Sequence, residues 1–197
     1  MSQYFDNDNN IKHNKKIIEF YFNDKKYNLY SDNGVFSKDK FDYGTRLLLD
    51  SIDISKLSGN VLDLGCGIGV VGIILGTINE NINIDMIDIN DRAISLVRDN
   101  LTLNKVKANV FSSDVYSNVN KKYDYIITNP PIRAGKEVVR KFLFGGYDYL
   151  NDNGMLYFVM RKDHGVKSMI KELESKYNVT IVNKDKGFYI VSLTKHL

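Results

Sequence analysis

From residue 60 onward the chain alternates short apolar runs with longer segments of helical periodicity, and this alternation restricts the fold more than any other feature. Asn60 to Leu64, Asn83 to Ile87, Ala108 to Phe111, Tyr123 to Thr128 and Met155 to Met160 read as strands. Val70 to Asn79, Arg92 to Asn104, Lys136 to Leu150 and Gly165 to Tyr177 read as helices, with Gly145-Gly146 interrupting the third. Strands joined through helices require right-handed crossovers, and therefore a parallel sheet covered on both faces. Two further runs, Asn178 to Val182 and Phe188 to Ser192, are joined only by the polar stretch Asn183 to Gly187. That connection is too short for a helical crossover, so the two must form a hairpin and one strand must run backwards. The expected fold is α/β: a doubly wound, seven-stranded, mostly parallel sheet with one antiparallel strand.

Upstream of the alternation, Ile17 to Phe22 and Lys26 to Tyr30 flank Asn23-Asp24 and predict a β-hairpin. Ser31 to Lys40 reads as a loop holding Asn33-Gly34, and Asp42 is placed to cap a helix over Tyr43 to Ile52. Residues 1–41 are thus expected to form an extension packed on a core of residues 42–197, with residues 1–14 frayed. The 197 residues are 43% hydrophobic and 26% charged, enough for one domain with a sizeable core. Cys66 is the only cysteine, so no internal disulfide can form, and a cytoplasmic, reducing setting is expected. The polar start MSQYFDNDNN is unlike a secretory signal, and no apolar run is long enough to span a membrane. The three histidines are scattered and suggest no metal site. The net charge of +3 permits nucleic-acid binding without demanding it.

On a doubly wound sheet, ligands bind at the carboxyl ends of the strands. The first strand of the alternation ends Val61-Leu-Asp-Leu-Gly-Cys-Gly-Ile-Gly69, where Gly65, Gly67 and Gly69 allow a tight turn and close approach of the backbone to a ligand. The second ends at Asp88, 21 residues past Gly67, an offset that suits a carboxylate accepting from two ribose hydroxyls. The third leads to Asp114, which could accept from an adenine amino group. Gly67-x-Gly69-x-x-Gly72 also matches a dinucleotide fingerprint, so a nicotinamide cofactor must be weighed. Asp63 argues against it: a carboxylate before the first glycine repels a pyrophosphate and suits an ammonium group. A ligand with an adenosine end and an amino-acid end is S-adenosylmethionine.

The fourth strand delivers Asn129-Pro130-Pro131-Ile132 to the same edge, and these are the only two prolines in the chain. The prolines fix the backbone and remove two N–H donors, leaving carbonyls and the Asn129 amide oxygen as acceptors. The lone pair of an amino group on a base is delocalised into the ring, so it is a poor nucleophile. Two acceptors on its hydrogens favour a pyramidal nitrogen whose lone pair points at a donor methyl, and positioning supplies most of such a catalysis. The alternative for the same residues is a rigid turn.

Asp63-Leu-Gly-Cys-Gly-Ile-Gly, Asp88, Asp114 and Asn129-Pro-Pro-Ile together resemble a class I S-adenosylmethionine-dependent methyltransferase acting on amino groups. More narrowly, Gly34-Val-Phe-Ser-Lys, Asp42-Tyr-Gly-Thr, Asn129-Pro-Pro-Ile-Arg-Ala-Gly-Lys136 and Lys186-Gly-Phe-Tyr-Ile190 resemble the RsmC-like small-subunit ribosomal RNA guanine-N2 methyltransferases, in a single-domain form. The resemblance implies a Rossmann-like methyltransferase fold and a cytoplasmic enzyme acting on ribosomal RNA or the 30S subunit; the oligomeric state is left open, with a monomer slightly favoured. It places Asp63 at the methionine amine, Asp88 at the ribose, Asp114 at adenine N6, and Asn129 with Pro130 at the target amine. Gly65, Cys66, Gly67, Gly69, Ile89 and Val115 would border the cofactor, and Phe36 and Thr45 would lie near the cofactor or active site. Ile132 departs from relatives that carry an aromatic after the prolines to stack on the base. Arg133, Lys136, Arg140, Lys141, Arg161 and Lys162 are expected to meet RNA phosphates. Other readings of the same residues are methylation of adenine N6, of protein glutamine or of a small molecule, or a non-catalytic cofactor-binding module of ribosome assembly.

Overall fold

A computed structural model of the chain describes residues 12–35 and 41–196. The hairpin pairs β1 (Lys16–Phe22) with β2 (Lys25–Ser31) in antiparallel register. Its turn is Asn23-Asp24, with φ of 47° and 58°. Two consecutive left-handed residues twist a two-residue turn in the sense that the strands require, and Asn and Asp tolerate that region best among non-glycine residues. Ile18, Phe20, Phe22, Tyr27 and Leu29 all point to one face. That face shares a core with Leu47 and Leu48 of α1 (Tyr43–Asp50) and with Val97 and Leu101 of α3 (Asp91–Asn104).

The alternation folds as β3 (Gly59–Leu64), α2 (Val70–Ile78), β4 (Ile82–Asp88), α3, β5 (Asn109–Ser112), β6 (Tyr123–Thr128), α4 (Lys136–Tyr149), β7 (Leu150–Arg161), α5 (Val166–Leu173), β8 (Tyr177–Asp185) and β9 (Phe188–Lys195). The strand order is β5-β4-β3-β6-β7-β9-β8. Only β9 is reversed, pairing antiparallel with both β7 and β8. The last four residues of β3 and the last five of β4 are buried without alternation, as expected for parallel strands covered on both faces. The two faces carry two apolar layers. One is built around Ile73, Ile74 and Leu48, and the other around Phe142, Leu156 and Phe158.

Three local expectations are corrected. Helix α4 runs through Gly145-Gly146 without interruption. A side chain at Gly145 would meet the Tyr116 ring at 2.9 Å, and one at Gly146 would meet Leu156 Cδ1 at 2.4 Å. Both glycines provide space for close packing instead of breaking the helix. The stretch 183–187 is not a loop: the strands continue to a two-residue turn at Lys186-Gly187, both with positive φ. Its polar residues belong to an exposed edge strand. Helix α5 ends at Leu173, and Tyr177 instead begins β8.

The chain lays down β3, β4 and β5 in one direction and then returns to place β6 on the other side of β3. The strand order therefore switches between β3 and β6, where open α/β sheets form their ligand crevice. Hydrogen bonds lace the strand ends there. Thr128 Oγ1 donates to the Leu64 carbonyl at 2.7 Å, Gly65 and Cys66 N–H donate to the Ile87 carbonyl at 2.9 Å, and Ser113 N–H donates to the Asp88 carbonyl at 2.9 Å.

Candidate active site

Gly65, Gly67 and Gly69 have φ of 72°, 54° and 93°, in the left-handed region that disfavours side chains. Their surroundings differ. A side chain at Gly69 would touch Met86 Cε at 3.0 Å, and one at Gly72 would meet Met86 at 2.6 Å, whereas one at Gly67 would meet nothing within 4 Å. Two glycines of the apparent dinucleotide fingerprint thus serve helix-on-strand packing, and Gly67 alone borders open space.

The carboxylates stand in strand order. Asp63 is buried beneath the loop, and its Oδ2 accepts from Gly72 N–H at 2.9 Å. Burial pushes its carboxyl up to about 7; the Gly72 hydrogen bond opposes this and the Asp88 charge adds to it. Asp88 closes β4. Its Oδ2 accepts from Gly67 N–H and its Oδ1 from Asn90 N–H, each at 2.9 Å. Burial raises its carboxyl too, against the backbone N–H groups of Asn90, Gly67 and Ile89. Asp114 is exposed just past β5, and its N–H donates to Ser117 Oγ at 3.1 Å. Val115 takes a φ of 52°, which is rare for a β-branched residue and marks local strain. A cleft brings Gly65, Asp88, Ile89, Asp114 and Val115 together, with Val138 and Phe142 as apolar walls. Burial drives the Cys66 thiol well above its usual range, which opposes formation of the thiolate that a nucleophile needs.

Across the switch point lies Asn129, with Pro130 buried behind it and Pro131 and Ile132 half-buried. Asn129 Nδ2 lies 3.2 Å from Asp42 Oδ2 and 3.0 Å from Thr45 Oγ1. Asp42 caps α1 by accepting from Thr45 N–H at 2.9 Å. Sequence reasoning recognised the cap but not this second contact, because the partners are 87 residues apart. The loop before α1 reaches the same edge: Asn90 Nδ2 donates to the Gly34 carbonyl at 3.0 Å. Phe36 lies outside the described residues.

The basic residues divide. Arg133, Lys141 and Lys162 are exposed. Lys136 Nζ lies 2.7 Å from Glu172 Oε1, and Arg140 pairs with the other oxygen of the same carboxylate. Arg161 meets Asp163 at 3.0 Å and sits 5.2 Å from the centre of the Phe188 ring. Among the described residues no cluster of His, Cys, Asp and Glu could hold a metal ion, and no helix is long and apolar enough to cross a membrane.

The family model of the methyltransferase small domain matches residues 26–192. The chain belongs to the methyltransferase small domain family. The uncharacterized Bacillus subtilis protein YbxB is 38% identical over 98% of both chains. Ribosomal RNA small subunit methyltransferase C of Aliivibrio fischeri is 47% identical over 102 residues, which are 52% of this chain and 30% of that one. The chain spans less than half the length of the curated relatives bearing that name. In structure, the T. thermophilus 16S rRNA N2 methyltransferase RsmC, solved with AdoMet and guanosine, superposes with a TM-score of 0.83 at 22% identity, over 92% of this chain and 51% of that one. The resemblance to RsmC-like methyltransferases and the expected fold are both borne out.

As a member of this family the protein is an S-adenosylmethionine-dependent methyltransferase. The donor set fits that cofactor. Asp63 would answer a cationic amine, Asp88 a pair of hydroxyls, and the open side of Gly67 would admit the ligand against bare backbone. Two buried acids beneath the glycine loop would oppose a pyrophosphate there.

Proposed function

We propose that this methyltransferase transfers a methyl group from S-adenosylmethionine to the exocyclic N2 amine of a guanine in small-subunit ribosomal RNA. The observation that carries the reading is the Asn129 amide, whose nitrogen is committed to Asp42 and Thr45, so that its oxygen faces the other way. The bound cofactor supplies an electrophilic methyl on a sulfonium. Asp63 would hold the cofactor's amine, Asp88 its ribose and Asp114 its adenine, a reading supported by the neighbouring order of β3, β4 and β5 in the sheet. Asn129 Oδ1 and the Pro130 carbonyl accept from the two hydrogens of the target amine and turn its lone pair toward the methyl. No strong base is required, because the proton leaves after the nitrogen has been methylated. Of the expected extension, residues 1–41, the described parts, 12–35 and 41, serve as part of the same domain, and the rest lies outside the described residues.

The acceptor is supported by the names of the relatives and by the basic residues about the site. Arg133 and Lys162, exposed and beside the acceptor edge, are the foremost phosphate contacts, with Lys141 behind them; Lys136, Arg140 and Arg161 would have to exchange a carboxylate for a phosphate. Arg133→Ala is expected to weaken binding to small-subunit ribosomal RNA at low salt, with the difference shrinking as salt rises. Equal binding at low salt would remove Arg133 from the interface. Asn129→Ala is expected to lower turnover by ~100-fold or more while S-adenosylmethionine binds as before. Unchanged turnover would refute amine positioning. A wild type that binds the cofactor but never turns over would favour the non-catalytic module.

A further inference from the structure

We propose that Asp42 is a positioning residue for Asn129: its carboxylate fixes which end of the Asn129 amide faces the acceptor. The inference rests on the proposed role of Asn129 and adds the group that makes that role possible.

A helix cap needs only one contact, Asp42 Oδ2 to Thr45 N–H at 2.9 Å, and Ser, Thr or Asn would supply it equally well. The same oxygen makes two further contacts that capping does not use. Thr45 Oγ1 donates to it at 3.2 Å, and Asn129 Nδ2 donates to it at 3.2 Å. Thr45 Oγ1 in turn accepts from Asn129 Nδ2 at 3.0 Å. All the protons therefore point toward Asp42. The threonine hydroxyl has spent its hydrogen on the carboxylate and can only accept from the amide. An ionised carboxylate likewise accepts and never donates. The end of the Asn129 amide facing α1 must then be the NH2 group, and the carbonyl oxygen is forced to the opposite side. A neutral hydroxyl at position 42 would carry a proton of its own and would tolerate either orientation. The negative charge also polarises the amide and makes Oδ1 a stronger acceptor than an isolated asparagine would be.

Asp42→Ser tests this, because serine keeps a capping oxygen for α1 while removing the carboxylate. Methyl transfer is followed with 30S subunits carrying unmodified ribosomal RNA. The variant is expected to lose about tenfold or more in kcat, with cofactor affinity unchanged. Asp42→Asn, which keeps a carbonyl at the same reach, should recover part of the loss. In an Asn129→Ala background, Asp42→Ser should cost nothing further, since its effect passes through the missing amide. Full kcat in Asp42→Ser, or an equal loss in both backgrounds, overturns the proposal. An active Asn129→Ala enzyme would instead refute the role of Asn129 itself. A second measurement needs no substrate. The side-chain amide protons of Asn129, assigned by their absence from Asn129→Ala, should shift and exchange faster with solvent in Asp42→Ser. An unchanged amide signal also overturns the proposal.

Discussion

Asp63→Asn is expected to melt higher than the wild type above neutral pH while binding S-adenosylmethionine far more weakly. Asp63 is buried, and burial raises its carboxyl to about 7. An unfolded chain ionises near the ordinary carboxylate value of about 3.9. Between those two values the folded chain holds a proton that the unfolded chain has released, so stability falls as pH rises through this window. Above about 7 the whole cost is present, on the order of 4 kcal/mol. Asparagine keeps an oxygen for the Gly72 N–H and carries no charge, so it removes that cost. The gain should be several degrees in melting temperature at pH 8 and almost nothing at pH 4. Binding runs the other way. A cationic amine requires the ionised carboxylate, so wild-type affinity should fall by up to about tenfold per pH unit below 7, and the variant should be weak at every pH. Thermal melts and titration calorimetry at both ends of the range check this. A variant that melts lower at pH 8, or binds the cofactor with wild-type affinity, would contradict the assignment of Asp63.

Asn100→Leu is expected to be among the most destabilising single changes in the protein. Asn100 is fully buried on α3. Its Oδ1 accepts from Tyr30 N–H at 2.6 Å, and its Nδ2 donates to the carbonyls of Tyr30 at 3.0 Å and Ile68 at 2.9 Å. One side chain thus joins the hairpin, the glycine loop and α3. Leucine has nearly the same volume but strands three backbone groups, each worth about 1–3 kcal/mol when left unpaired in the interior. A loss of ~4 kcal/mol or more is expected, with rapid amide exchange at Tyr30 and weaker cofactor binding as the loop loosens. A loss under ~1 kcal/mol in denaturant titration would mean that the hairpin is held by its apolar face alone.

The parts of the fold legible in the sequence were those set by local periodicity. The buried runs of β3 and β4 and the crossover helix α3 declare themselves because parallel strands are covered on both faces and α3 has a polar face, while α2 is an apolar run marked off by the glycine loop before it. Gly145 and Gly146 misled because glycine serves two ends, breaking a helix or admitting a neighbour, and only the positions of Tyr116 and Leu156 decide between them. Asn183 to Asp185 misled because an exposed edge strand is as polar as a loop. The candidate site was legible as a set of strand ends, since a sheet of this order must line up Asp88, Asp114, the glycine loop and Asn129. What holds those residues was not. The Asp42–Asn129 contact, the Glu172 carboxylate shared by Lys136 and Arg140, and the three bonds of Asn100 all join distant segments. No local pattern in the sequence records them.

The most direct test of the account is methyl transfer from labelled S-adenosylmethionine to unmodified small-subunit ribosomal RNA and to 30S subunits, followed by nucleoside mass spectrometry. Label is expected in N2-methylguanosine, and none when Asn129 is alanine. Label in N6-methyladenosine, or no label in RNA from a protein that binds the cofactor, would contradict it.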